Sequence, residues 1–338
     1  MQLRQGLRVV RSAPDEVQVG TDPRWAVRVG GLAPAQADRL VEAGDRALDG
    51  LPPAVLAGLS TAGLVRAPGT RPPRVRAAHV PEALAYGLGG AAGDGVAALR
   101  RRARATVAVA GLDRVGVAVA TTLAGSGIGT LELTDPAPVR AGDVGGVLTP
   151  ADVGSTRVGA VAAALGRLAP HVRVRERGDT TTTADVAVTV AGDASDPAVA
   201  LALLGADVPH LPVVTGEAAA SVGPFVRSPE PGRPASACLR CVDLHRTDLD
   251  PAWPVVVAEL VALHRSARRR GARHAPAGPP AALATVVGGL AAAEVLTHLD
   301  GGRPRTRGAQ YEIAVPDVEP RLRPWATHPA CGCAALSG

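Results

Sequence analysis

One stretch of the chain, residues 106–135, restricts the possible folds more than any other. Thr106–Ala110 is a continuous apolar run, the pattern of a central parallel strand buried on both faces. It enters a turn, Gly111-Leu112-Asp113-Arg114-Val115-Gly116, that opens a helix over about 115–124. Residues 130–134 read as a second strand, which ends at Asp135. A helix over 155–168 and strands over 172–175, 185–190 and 211–214 continue the alternation. Strand and helix in turn predict an α/β fold, a Rossmann-like, doubly wound and mostly parallel sheet.

The 338 residues are enough for one large α/β domain and a smaller one. Hydrophobic residues make up 46% and aromatics only 2%, so the core has to be built from Ala, Val and Leu. All 36 Lys-or-Arg positions are Arg, Lys and Asn are absent, and isoleucine occurs only as Ile128 and Ile313. Those three residue types need AT-rich codons, so the composition reads as drift in a GC-rich bacterial genome. An Arg standing where a relative has Lys therefore says little about function.

The formal net charge of +5 is spread along the chain and is dense only at 100–104 and 265–273. Neither run is interleaved with aromatics for base stacking, which speaks against a nucleic-acid partner. The start, MQLRQGLRVV, lacks an apolar core of signal-peptide length, and the apolar stretch 281–295 is interrupted by Glu294 and reads as too short to span a bilayer. No membrane partner is expected, and the location expected is cytoplasmic. In that compartment cysteines serve more often as metal ligands than as disulfides.

Residues 1–90 form a separate unit. Short strands are expected at 17–19 and 25–29 around the turn Thr21-Asp22-Pro23, and helices start at Pro34 and Pro53 with Pro in the first turn. With a further strand at 64–65, the layout is a small winged-helix-like α+β module. Residues 91–104, Gly/Ala-rich and then Arg-rich, read as a linker, and 105–338 as the nucleotide-binding domain.

In a full G-x-G-x-x-G turn, bare glycines let phosphate oxygens reach the amides of a helix N-terminus. Here Gly111 and Gly116 remain and Asp113 takes the middle position, which puts a carboxylate near the phosphate path; Arg114 is the compensating phosphate contact. A tight β–α turn without a ligand is the rival reading. Asp135, at the end of the second strand, stands where an acid binds the ribose hydroxyls of a nucleotide, its rival role being to cap the following turn. Neither feature separates NAD from ATP.

The four cysteines come as Cys238-x-x-Cys241 and Cys331-x-Cys333. Two such knuckles supply the four tetrahedral donors of a structural Zn²⁺ and tie the end of the chain to its middle. A redox C-x-x-C is the alternative, but Pro and Ser, not a thioredoxin-like strand, precede the first pair.

The order VAVAGLDRVG, LELTDP, DVGSTRVGAVAAAL, VTVAGD, CLRC and CGC resembles the ThiF/E1-like (ubiquitin-activating-type) adenylyltransferase superfamily over residues 104–335. CLRCVDLHRTDLDPAWP and HPACGC are similar to a ThiF-like group of high-GC bacteria associated with peptide modification. The resemblance implies ATP and Mg²⁺ as cofactors, an acyl-adenylate on the C-terminus of a peptide or ubiquitin-like carrier protein, and a homodimer. It implies that Asp135 binds ribose, that Asp193 in Val190-Ala-Gly-Asp193 positions Mg²⁺, and that Arg157 stands for a phosphate-binding Lys. It likens residues 1–90 to peptide-recognition domains that precede E1-like proteins. Two departures stand out: Ala137 replaces a second acid, and 141–148 replaces an Asn-x-x-Arg-Gln stretch, with Arg140 a partial substitute. With all four cysteines assigned to zinc, no thiol is left for a thioester step.

Three readings follow: an adenylyltransferase; a non-catalytic E1-like scaffold presenting a leader peptide to a cyclodehydratase-like partner; and an NAD(P)-dependent oxidoreductase, which leaves the cysteines unexplained. His245, His264 and Ser266 read as ordinary surface or loop residues, 265–273 as a solvated crossover loop, and Gly288-Gly289 as a site of close packing, at a dimer interface if one exists.

Overall fold

The structure, a computed structural model, describes residues 1–44, 46–67, 75–89, 94–178, 183–228, 235–270 and 278–333, without the side chains of 265–270. Residues 265–270, expected as part of a crossover loop with Ser266 as a loop serine, are helical instead, continuing a helix that begins at Trp253; residues 271–273 and residues 91–93 of the expected linker fall outside what is described. The chain divides into two compact units, Met1–Ala98 and Leu99–Gly338.

The first unit opens with β1 (Gln2–Leu3) and the strands β2 (Val9–Ala13), β3 (Glu16–Val19) and β4 (Val27–Val29), the last three forming an antiparallel meander. Val17 and Val19 are fully buried while Gln18 between them is not, the period of two that gives a strand one inward face. Helices α1 (Pro34–Val41) and α2 (Pro53–Thr61) both carry Pro in the first turn and close the core with Leu40 and Leu59. Strand β5 (Val65–Arg66) pairs with β1, and α3 (Val80–Gly89) follows.

Residues 95–104, expected as the end of a linker, instead form helix α4 (Gly95–Arg104). The reason lies in one arginine of the run. Arg102 is fully buried, with Nε and Nη2 donating to the Asp300 carboxylate at 3.0 and 2.6 Å and Nη1 to the Ser126 carbonyl at 3.2 Å. A planar fork matched to a carboxylate makes such burial tolerable.

The second unit is built on β6 (Thr106–Ala110), α5 (Arg114–Gly125), β7 (Thr130–Thr134), α6 (Arg157–Leu168), β8 (Arg173–Glu176), β9 (Val186–Gly192), α7 (Pro197–Gly205), β10 (His210–Thr215) and β11 (Ala219–Val222). Then come α8 (Leu239–Leu249), α9 (Trp253–Arg270), α10 (Ala281–Leu299), β12 (Ala309–Ala314) and β13 (Arg321–Pro324). One eight-stranded sheet results, ordered β13-β12-β11-β10-β9-β6-β7-β8. β8, β7, β6, β9 and β10 are parallel, and β11 to β13 extend the β10 edge antiparallel. The chain winds one way from β6 to β7 and the other way from β9 to β10, so the winding direction switches between β6 and β9. In such sheets the crevice for a ligand lies at that point, beyond the carboxyl ends of the strands.

The apolar stretch expected to be too short for a bilayer is a 19-residue helix, α10, long and apolar enough by those criteria alone. Its burial has another cause. Leu283, Val287, Ala291 and Val295 are fully buried in the core formed with α5 and the sheet, and Glu294 is satisfied by the Thr306 N–H at 2.7 Å and hydroxyl at 2.5 Å. Gly288 lets the two helices touch: a Cβ there would come 2.5 Å from that of Ala118, so this residue packs within the chain, whereas Gly289 has open space.

Candidate functional site

A cavity of about 270 Å³ lies at the switch point, lined by residues that follow β6, β7, β9 and β10. Gly111 has a φ of +92°, and a Cβ on it would collide with the Val190 carbonyl; one on Gly116 would collide with the Gly111 carbonyl. Both glycines are thus required by the turn itself. Asp113 is the N-cap of α5, its Oδ1 accepting from the amides of Val115 at 2.9 Å and Gly116 at 3.1 Å. The amides that would meet a phosphate are occupied by this side chain, whose carboxyl is pushed up by burial.

Arg114 does not line the cavity. It donates to the carbonyls of Val144 at 3.0 Å and Pro279 at 3.4 Å, tying their loops to α5, and its Nε is buried with no hydrogen-bond partner among the described residues.

Asp135 is buried at the end of β7 and fully engaged. Oδ2 accepts from the Leu112 amide at 2.7 Å and from Arg157 Nη1 at 3.0 Å, and Oδ1 from the Ala137 amide at 2.9 Å. Arg157, on the first turn of α6, also forks onto Asp143, with Nε and Nη2 at 2.8–3.0 Å. Burial alone would lower the pKa of Arg157, but the two carboxylates raise it above the ordinary arginine value. Arg157 and Asp135 do come together in the crevice, as two-thirds of an internal Asp–Arg–Asp triad. Asp143, the third member, carries no signal of its own in the sequence, because it lies in the segment that reads only as a departure.

Arg140 lines the same cavity, and its Nε is buried with no hydrogen-bond partner among the described residues. A buried, unpaired guanidinium nitrogen costs free energy unless a ligand supplies the acceptor. Asp193 follows β9 in the left-handed region at φ +57°, held by its N–H on the Thr215 carbonyl at 2.7 Å. Its Oδ2 accepts from His264 Nε2 on α9 at 2.8 Å, each side chain about a quarter exposed (27% and 26%). His264 is therefore part of the crevice, not a surface histidine. A second cavity of about 610 Å³, along β10 to β12, shares Asp193 and Gly216 with the first.

The two cysteine pairs converge although they lie about 90 residues apart in sequence. Sγ–Sγ distances are 3.9 Å for Cys238–Cys241, 3.7 Å for Cys238–Cys331 and 3.4 Å for Cys241–Cys333, and all four sulfurs fall within 4.8 Å of one another. Disulfide sulfurs lie about 2.05 Å apart; tetrahedral Zn²⁺ with Zn–S bonds of about 2.3 Å spaces its thiolates about 3.8 Å apart. The spacing fits four thiolates around one metal ion and not a disulfide. Burial pushes the Cys238 thiol up to about 11 and raises Cys333 further. Burial also opposes ionisation of Cys241, yet amide and thiol donors, the His328 amide among them, hold it below its ordinary value.

His245, Asp248 and His328 cluster beside the knuckles. The Ala330 amide donates to His328 Nδ1 at 3.1 Å, which leaves Nε2–H to donate to Asp248 at 2.8 Å. His245 Nε2 donates to the Ala326 carbonyl at 3.0 Å. These nitrogens are committed to fastening the C-terminal knuckle.

Fold and site together define a doubly wound α/β domain with a crevice at its switch point and a four-thiol clasp at its C-terminal end. The ThiF family matches residues 90–333, and the chain belongs to that family. Among solved structures, the microcin C7 biosynthetic enzyme MccB in complex with N-formylated MccA superposes with a TM-score of 0.68 at 16% identity, over 100% of this chain and 99% of that one. E. coli MccB with ATP gives a TM-score of 0.67 at 17% identity over 100% and 99%, and selenomethionine PaaA 0.68 at 15% over 95% and 98%. At these identities the likeness concerns the fold. No curated protein matches the chain in sequence.

Proposed function

We propose that this protein is an ATP-dependent adenylyltransferase that activates the C-terminal carboxylate of a peptide. The observation that carries this reading is the lining of the crevice. One wall brings the unpartnered guanidinium nitrogen of Arg140 and another the Asp193 carboxylate, complementary to a triphosphate and to its magnesium ion. Oxygen donors suit Mg²⁺, and Oδ1 of Asp193 has no partner among the described residues. MccB, a protein of the same fold, has been solved with ATP and with N-formylated MccA, which supports the choice of substrates.

In the reaction a carboxylate oxygen of the peptide bonds to the α-phosphorus as the bond to the β-phosphate oxygen breaks, and pyrophosphate leaves. Arg140 offsets the negative charge of the transferring phosphate, where a preorganised donor acts most strongly. Asp135 receives ribose, and Arg157, pinned between Asp135 and Asp143, fixes that carboxylate's orientation. Asp193 would hold Mg²⁺, which supplies charge neutralisation of the phosphates. The larger cavity, meeting the crevice at Asp193 and Gly216, admits the peptide C-terminus. A peptide is preferred to a ubiquitin-like carrier protein.

The four cysteines fit a structural Zn²⁺ by donor type and spacing, which leaves no thiol for a thioester. The unit at 1–90, winged-helix-like in layout, serves peptide recognition, and the working form is a cytoplasmic homodimer. ATP–pyrophosphate exchange that depends on added peptide is the test; no exchange, with calorimetry detecting no ATP, overturns the reading.

A specific observation favours a second reading. Asp113 caps the amides that would greet phosphate, and Arg157 is neutralised by two acids. A scaffold that binds a leader peptide for a cyclodehydratase-like enzyme would retain peptide binding and show no ATP binding. The NAD(P) reading has no hydride-transfer site to support it and is set aside.

A further inference from the structure

We infer that His264 is a positioning residue for the cation seat at Asp193; the inference rests on the adenylyltransferase reading above. A carboxylate offers two oxygens. His264 Nε2 takes Oδ2 of Asp193 at 2.8 Å, and Oδ1 is without a partner among the described residues. An imidazole N–H that donates to one oxygen holds the side chain in a single rotamer and leaves the other oxygen directed for a hard cation. This outer hydrogen bond is the usual device by which proteins orient a ligating carboxylate.

The surroundings are built for the contact. The imidazole lies over Gly192, where a Cβ would approach Cε1 to 2.5 Å and Nε2 to 2.7 Å. Any larger residue at 192 would expel the ring. The next residue, Asp193, holds its left-handed backbone through the Thr215 carbonyl, so both partners of the hydrogen bond are fixed from different elements, β9 with β10 on one side and α9 on the other. Asp193 lies where the two cavities join, the point that nucleotide and peptide share.

The test is calorimetric titration of the full-length protein with ATP, with and without Mg²⁺, backed by electron paramagnetic resonance of Mn²⁺ binding in the presence of ATP. His264→Ala is expected to weaken the metal-dependent component about 10- to 100-fold, a larger loss than it causes in metal-free ATP affinity. His264→Gln, which keeps a donor at the end of the side chain, restores it, and Gly192→Ala reproduces the loss by displacing the ring. Unchanged or tighter metal binding by His264→Ala overturns the inference, as does a Gln variant no better than Ala. If wild type binds ATP and only the His264 effect is missing, the adenylyltransferase reading survives; if wild type binds no ATP with or without Mg²⁺, both fall.

Discussion

The cysteine cluster and the crevice treat charge in opposite ways. At the cluster, four donors of one kind converge within 4.8 Å, and burial opposes ionisation of three of them. Such a set of donors fits a metal ion, which favours the thiolates that burial opposes. In the crevice, acids and bases already answer one another: Asp135 and Asp143 with Arg157, Asp113 with two amides, Asp193 with His264. Arg140 Nε, by contrast, has no partner among the described residues. On the proposed reading, a site of like donors would hold the fold together through a bound metal, whereas a cross-paired site keeps its own shape and binds by exchanging partners. Changes at the first should register as stability, and changes at the second mainly as affinity.

The largest effect is expected from the cluster. Cys241→Ser, or a strong chelator, should release zinc measured by elemental analysis and destabilise the second unit by several kcal/mol, since structural zinc in small peptides contributes about 10–16 kcal/mol. A melting temperature indifferent to both would break the comparison. Next comes Arg157→Ala, which strands two buried acids and should cost about 3–5 kcal/mol in urea unfolding. If that variant instead loses ATP binding at full stability, Arg157 is a phosphate ligand and not an internal strut.

Arg140→Ala should do the converse, lowering ATP affinity by about 1.5–3 kcal/mol while stability stays within about 0.5 kcal/mol. The smallest effect belongs to Asp113. Replacement by Ala should cost about 1 kcal/mol through the lost cap, whereas Asp113→Asn keeps a cap and removes the charge. Burial raises the Asp113 carboxyl, so its contribution to stability is present below the unfolded pKa and is lost as pH rises through the folded one. The Asn variant should therefore gain on wild type as pH rises toward neutrality, with no advantage in acid, as urea unfolding at several pH values would reveal.

The strand–turn–helix–strand core and the cysteine clasp were legible because each is a local pattern with few physical interpretations: an apolar run with a tight turn, and paired thiols at chelating distance. Asp135 and Arg157 were legible as crevice residues, but their pairing was not, since it requires Asp143 from a segment without a periodic signal. His264 had no local marker at all; its partner is 71 residues away and the ring depends on the missing side chain of Gly192. Asp113 carried a usable signal, an Asp directly before an apolar helix, which is the pattern of an N-cap. Helix α4 was obscured because four arginines look solvated until one of them finds Asp300.

Gly288 gives the crevice a control on its far side. The helix that starts at the Gly111–Asp113 turn rests on α10 at this residue, backbone nearly against backbone. A single methyl group added at 288 would work as a jack, lifting α5 and tilting the floor of the crevice without touching any residue that lines it.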